Sequence, residues 1–311
     1  MHDWSQIKVS VPGSIMLMGE HAVLFGHRAL ACAVDKYIHL ILTPRNDRLV
    51  VIDSALAGYH SSLDELVDEP RLSFVLAAVS RFGERLPGGF EMKIESEFSH
   101  TVGLGSSAAV TVAALSALRA YAGLEADPAL LFEDALAVVH QVQGRGSGTD
   151  LAASVYGGLI GYTVKPRQVK RLPGLPPISL YYAGYKTRTP DVLKRVEASS
   201  RSQTQLYTEL YQLMHQTTVA AEEAVGQENW SELGKLMNIY QGLMDALGVC
   251  DATIADMIYR LRKSEQVLGS KISGSGLGDC VIALGRDEAL DMPYEAIPVA
   301  VSEYGVRLSY E

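Results

Sequence analysis

Ser99–Leu115 reads SHTVGLGSSAAVTVAAL, the stretch whose residue types could do the most chemistry. Gly103, Leu104 and Gly105 lead into Ser106, Ser107 and Ala108, and an Ala/Val/Leu run continues through Tyr121 to end near Gly123. Glycine lets backbone N–H groups come close to a ligand and tolerates positive φ. Ser106 or Ser107 is placed to cap the helix that the apolar run predicts. A glycine turn feeding a helix N-terminus presents unpaired N–H donors at the positive end of the helix dipole, and phosphate is the natural ligand there. The string is not a Walker motif, because it lacks the lysine, and Ala108 stands where a dinucleotide fingerprint would have its third glycine. The plain alternative is a tight turn that starts a buried helix.

Other strings offer further polar groups. Gly19–Gly26 contains Glu20-His21, which is either a surface turn or part of a polar site, since burying either group unpaired is costly. Gln143–Tyr162 places Asp150 after Gly144, Gly146 and Gly148; this aspartate is either a turn former or a positioned carboxylate. Gly184–Pro190 is a cationic, hydroxyl-rich turn with Lys186, Arg188 and Thr189. Lys271–Leu284, KISGSGLGDCVIAL, carries Gly274, Ser275 and Gly276 between two strand-like segments, where a bulge or tight hairpin is the plain reading.

The elements that must position these groups alternate in type. Lys8–Val11 reads as a short strand turned by Pro12-Gly13, and strands follow over Ala29–Val34, Tyr37–Leu42 and Leu49–Ile52. Apolar spacing predicts a helix over Asp64–Leu86, then a strand at Phe90–Ile94 and a helix over Pro128–Gln143 started by Asp127. Lys165–Pro177 has little periodicity and reads as the domain junction. Beyond it come a strand over Ile178–Tyr185, helices over Thr204–Val225, Trp230–Leu247 and Asp251–Leu268, a strand over Cys280–Leu284, and one or two strands within Pro298–Ser309.

Composition excludes several classes. A chain of 311 residues suits two domains or one large α/β unit. The net charge of −9 argues against nucleic acid as a partner, so an anionic substrate must be held by a few local cations and backbone dipoles. The N-terminal MHDWSQIKVSV lacks a signal-peptide layout, and the apolar run Ala108–Leu118 is too short to span a membrane. Cys32, Cys250 and Cys280 are far apart without a Cys-x-x-Cys, as expected of a reduced cytoplasmic protein.

Together the strings resemble the GHMP small-molecule kinases. The first family motif is similar to Pro12-Gly13-Ser14 through Gly19-Glu20-His21-Ala22-Val23-Leu24, the second to Gly103–Ala109, and the third to Ser273–Cys280, so the resemblance spans residues 8 to about 284. It implies an α+β, two-domain fold: an N-terminal α/β domain with a left-handed βαβ unit over residues 1–168, and a ferredoxin-like α+β domain over 169–311. It implies transfer of the γ-phosphoryl group of ATP, with Mg2+, to a small molecule. In this resemblance Gly103, Leu104, Gly105, Ser106, Ser107 and Ala108 cradle the ATP phosphates, and the Ser107 hydroxyl meets magnesium. Asp150 matches the catalytic aspartate, with Glu20, His21, Lys186, Thr189, Gly274, Ser275 and Gly276 on the substrate side. It leaves room for a homodimer.

Two positions depart from the family pattern. Ser14 stands where mevalonate kinases usually carry a lysine that pairs with the aspartate, and Lys186, Arg188 or magnesium is expected to substitute for it. The acidic magnesium ligand expected upstream of Asp150 falls on Val139, beside His140 and downstream of Glu133. Gly19–Leu24 resembles the mevalonate kinase branch, whereas Gly278–Cys280, Asp150–Gly158 and Ala183–Thr187 resemble the phosphomevalonate kinase branch. The resemblance therefore implies mevalonate as acceptor, with phosphomevalonate as the alternative. A catalytically weakened ligand-binding relative is a third reading, raised by Ser14.

Overall fold

The computed structural model describes residues 5–311, so the first four residues of the N-terminal segment and of the expected first domain lie outside the description. The first half of the chain forms β1 (Ile7–Met18), β2 (Ala29–Pro44), β3 (Leu49–Ser54), β4 (Gly58–Ser62), α1 (Ser73–Phe82), β5 (Phe90–Ser96), α2 (Ser106–Tyr121), α3 (Pro128–Gln143), α4 (Thr149–Tyr156), β6 (Leu159–Val164) and β7 (Arg167–Leu172). The second half forms β8 (Ile178–Lys186), α5 (Thr189–Ser200), α6 (Thr204–Gly226), α7 (Trp230–Ala246), α8 (Ala252–Leu261), β9 (Gly269–Ser273), β10 (Gly278–Leu284), β11 (Glu295–Ile297) and β12 (Arg307–Tyr310).

An eight-stranded sheet runs β12-β1-β2-β5-β3-β4, with β6 and β7 continuing from β2. β3 and β5 pair in parallel, with α1 in their connection; the other pairings are antiparallel. In β5 Phe90, Met92 and Ile94 are buried while Glu91, Lys93 and Glu95 are exposed, the period-two pattern of a sheet with one wet face. Against the dry face lies α2, buried at nearly every position from Ala108 to Tyr121. A helix apolar all round belongs inside a core, and its alanines let α1, α3 and α4 come close. Arg119, buried near the end of this run, is satisfied by an ion pair with Asp134 and a hydrogen bond to the Glu125 carbonyl.

A second, four-stranded antiparallel sheet has the order β11-β8-β10-β9, with α5–α8 inserted between β8 and β9. The two cores meet in β1. Ile7, Val9 and Val11 belong to the first, whereas Ile15, Leu17 and Met18 pack with Leu180, Met237, Ile272 and Val281 in the second.

Several boundaries differ from the sequence reading. β1 does not stop at Pro12-Gly13: the register against β2 shifts there, pairing Pro12 with Tyr37 and Gly13 with Val34, and the strand runs on to Met18. A bulge tolerates proline's missing N–H, so the strand bends without ending. The helix expected over Asp64–Leu86 begins only at Ser73, because Glu69 is extended before Pro70 and a short 3-10 turn intervenes. The expected junction at 165–177 contains β7, so the boundary expected at 168/169 falls inside a strand of the first sheet. β7 is mostly exposed and lacks the apolar alternation that would have marked it. The helix expected over Asp251–Leu268 is α8, which ends at Leu261, and the chain crosses into β9.

Asp127 caps α3 as its sequence position predicts, accepting from the N–H groups of Ala129 and Leu130. Asp127→Ala therefore lowers stability by about 1 kcal/mol in a denaturant titration while leaving any turnover unchanged; an unaltered midpoint would contradict the cap.

Candidate active site

Past its bulge, β1 carries Ser14 into the interior, fully buried. The Ser14 N–H donates to the Leu104 carbonyl at 3.0 Å, tying the strand to the glycine turn. Gly105, at φ +64°, caps α2, and a β-carbon on it would lie 2.1 Å from the Ser14 hydroxyl. The cap is thus a glycine; Ser106 and Ser107 are the first helical residues. Their N–H groups and that of Ala108 fall among the helix-start donors without intrahelical partners. Ser14 Oγ in turn donates to Asp150 Oδ1 at 2.9 Å, in the first turn of α4. The starts of two helices and the bulged strand therefore converge on one carboxylate.

Burial pushes the Asp150 pKa up; the Ser14 hydrogen bond and the charge of Lys186 oppose the rise, and the charges of Asp279 and Glu20 add to it. Lys186, at the end of β8, is 2.8 Å from Asp279 Oδ2. Of the two side-chain cations expected to replace a lysine at position 14, Lys186 is the one whose charge bears on the Asp150 pKa. Arg188 serves as the extended residue before α5. Thr187 donates to the Leu277 carbonyl at 2.6 Å, and the Thr189 and Ser275 hydroxyls are 3.5 Å apart, so residues 186–189 wrap the third glycine loop.

That loop joins β9 to β10 and is pinned from the other side by the first motif. The Glu20 carboxylate forms an ion pair with Lys271, both side chains essentially excluded from water. The Lys271 ammonium also donates to the Ile272 carbonyl and sits 5.4 Å from the Tyr240 ring centre. The Tyr240 hydroxyl donates to the Glu20 carbonyl at 2.9 Å, and the Gly274 N–H reaches Glu20 Oε1 at 3.4 Å. His21 Nε2 lies 2.9 Å from the Ser275 carbonyl, which fixes the proton on that nitrogen. Glu20 Oε2 and His21 Nδ1 remain buried without a partner among the described residues. Burial lowers the His21 pKa, so the ring is neutral near pH 7 and Nδ1 offers a lone pair.

The sequence-predicted residues thus come together in part. Gly103–Ala108, Asp150, Lys186, Thr189, His21 and Gly274–Gly276 belong to one connected neighbourhood, linked by the contacts above through Ser14 and Asp279. Glu20 is committed to Lys271 through one of its oxygens. Glu133, considered as a metal ligand, pairs instead with Arg167, and His140 Nε2 contacts the Gly146 carbonyl at 2.9 Å. Among the described residues no cluster of three His, Cys, Asp or Glu side chains is arranged to hold a metal. Neither Gly105 nor Gly276 leaves open space at its α-carbon. At both, protein already takes the space: Ser14 Oγ at Gly105, and the Val249 carbonyl 2.4 Å from a β-carbon on Gly276. Sequence reasoning gave Lys271 and Asp279 no role. For Lys271 a signal existed: a lysine in the otherwise apolar or small-residue run Gly269–Ser273.

The chain matches the family model "GHMP kinases N terminal domain" over residues 73–158 and "GHMP kinases C terminal" over residues 221–291. It is 29% identical to a mevalonate kinase of Aeropyrum pernix, over 97% of this chain and 98% of that one. It is 31% identical to a mevalonate kinase of Archaeoglobus fulgidus, over 96% and 98%. Its fold superposes on the crystal structure of the Methanococcus jannaschii mevalonate kinase with a TM-score of 0.80 at 20% identity, covering 96% of this chain and 99% of that one. Fold and site define a phosphotransferase acting on small molecules. The chain belongs to the GHMP kinases, a family whose activity uses ATP.

Removing one partner of a buried ion pair strands the other charge, at a cost of about 3–5 kcal/mol. Lys271→Met should therefore lower the melting temperature sharply, and adding Glu20→Gln should recover much of the loss. A Lys271→Met protein as stable as the parent would show that the pair does not clamp the loop.

Proposed function

We propose that this protein transfers the γ-phosphoryl group of ATP to the hydroxyl of mevalonate. The observation that carries the reading is the Ser14–Asp150 hydrogen bond set beside the N-terminus of α2. It puts a candidate base next to a row of backbone donors suited to phosphate. The near full-length similarity to the curated mevalonate kinases supports mevalonate as the acceptor.

In this reading the N–H groups at the start of α2 hold the phosphates of ATP, and the helix dipole offsets their charge. Asp150 takes the acceptor's hydroxyl proton as the new oxygen–phosphorus bond forms and the bond from phosphorus to the bridging oxygen of ADP breaks. Ser14 orients the carboxylate and, with Lys186, keeps it ionised against the burial that favours its neutral form. His21 Nδ1 accepts from a substrate hydroxyl, and Gly274–Gly276 with Thr189 close over the acceptor.

Mg2+ fits this donor set. It is held in kinase sites chiefly by phosphate oxygens, water and one or two protein oxygens. The Ser107 hydroxyl, which makes no hydrogen bond among the described residues, is available as such a ligand. When bound, the ion neutralises charge on the phosphates. The free thiols of Cys32, Cys250 and Cys280 support a reducing, cytoplasmic setting.

ADP release should be measured with mevalonate and, separately, with 5-phosphomevalonate. Turnover with mevalonate is expected; turnover with phosphomevalonate alone would move the acceptor, and ATP binding without turnover on either would favour a binding relative. Asp150→Asn should cut kcat by about 10²–10⁴ with the acceptor still bound.

The acid limb of the rate provides a separate check. A base whose pKa is raised is protonated, and lost to catalysis, at a higher pH than an ordinary carboxylate. Ser14→Ala removes a hydrogen bond that favours the ionised form, so the limb should move further up in pH. A shift downward would mean that Ser14 does not stabilise the charge.

A further inference from the structure

Asp279 is a non-glycine residue at φ +67°, in a loop whose neighbours Gly274, Gly276 and Gly278 supply positive φ without strain. An L-residue is strained there, and such outliers cluster at functional sites. The β10–β8 register shifts between Gly278 and Cys280, at Asp279 itself. The irregularity sends its carboxylate inward, where the residue is only 8% exposed. It lies against Gly103 of the phosphate turn: a β-carbon on Gly103 would come within 2.4–2.6 Å of three carboxylate atoms. Gly103 is therefore bare where the carboxylate of Asp279 needs room.

What the carboxylate grips is Lys186, 2.8 Å away. The lysine side chain is one-third exposed and long enough to turn into solvent if released. The groups facing Asp150 are the Ser14 hydroxyl on β1, Lys186 on β8, Asp279 on β10 and Glu20 beyond the end of β1; Lys186 is the single cation among them. Tyr182 and Cys280 also flank Asp279.

We infer that Asp279 is a positioning residue: it holds the Lys186 ammonium beside the Ser14–Asp150 pair and so couples the third glycine loop to the catalytic carboxylate. The inference rests on Asp150 acting as the base. It accounts for the left-handed backbone at Asp279, the bare Gly103 and the Lys186–Asp279 ion pair together.

The test uses Asp279→Gly, which removes the charge at a position where glycine is conformationally preferred, with Asp279→Asn as a second variant that tolerates the same backbone. Both should melt no lower than the parent, while kcat falls about tenfold. Lys186→Met should lose as much, and Lys186→Met combined with Asp279→Gly should lose no more than either alone. If Lys186 is released, Asp150 loses a cation whose pull on its pKa exceeds the opposing push of the Asp279 carboxylate, so the acid limb of kcat moves up in pH in all these variants. Were Asp279 merely a nearby negative charge, its removal would leave Lys186 in place and move the limb down. A downward shift, losses that multiply in the double variant, or unchanged kcat would each overturn the inference. Wild-type turnover in Asp150→Asn would instead overturn the reading beneath it, whatever Asp279 does.

Discussion

The structure depends on one strand that passes from one hydrophobic core into another. Ile7, Val9 and Val11 serve the first core; Ile15, Leu17 and Met18 serve the second, and the register shift at Pro12-Gly13 lies between them. A regular strand would keep the alternation of faces unbroken along its length. The bulge bends the strand, and the first residue past Gly13 is the serine that meets both the α2 cap and Asp150. The candidate site thus lies where the strand passes from one core to the other, with packed backbone on both sides.

Charge management follows from the same enclosure. The protein is acidic overall, with a net charge of −9, yet its candidate ligands are anions. Attraction therefore comes from helix ends and from single lysines whose reach is fixed by a carboxylate. Lys271 is bound by Glu20, a pair that joins the second half to the first, and Lys186 by Asp279 within the second half, where the Asp279 carboxylate also lies against Gly103 of the first. Burial depresses the Lys271 pKa, and the facing carboxylate opposes that. An ion pair in such a place adds little net stability over an apolar pair of the same shape, but it strongly specifies which surfaces meet.

How much was legible in the sequence depended on the range of the signal. The phosphate turn, the α2 helix and the Asp127 cap were readable because glycine, serine, aspartate and an unbroken apolar run act on their immediate neighbours. Asp150 was readable as a candidate for the same reason. Its partner Ser14 lies 136 positions away, and Lys271 lies 251 positions from Glu20, separations across which a single sequence carries no pairing information. Pro12 misled because a breaker in a regular strand is harmless in a bulge. β7 was missed because a strand exposed on nearly all its residues has no apolar rhythm to betray it. Ser106 and Ser107 have the side chains of capping residues, but the left-handed backbone at Gly105 took the cap one position earlier.

The shared strand also bears on traffic through the site. Enzymes that close by swinging one lobe against another need a hinge of few contacts between two bodies that move as units. Here β1 is a structural member of both bodies, and β12 pairs back onto its outer edge after the second half is complete. Swinging the halves apart would break sheet pairing and two packed interiors together. The short segments 186–189 and 274–277 border the site and, unlike 99–105 with its buried Leu104, supply neither core with a fully buried apolar side chain.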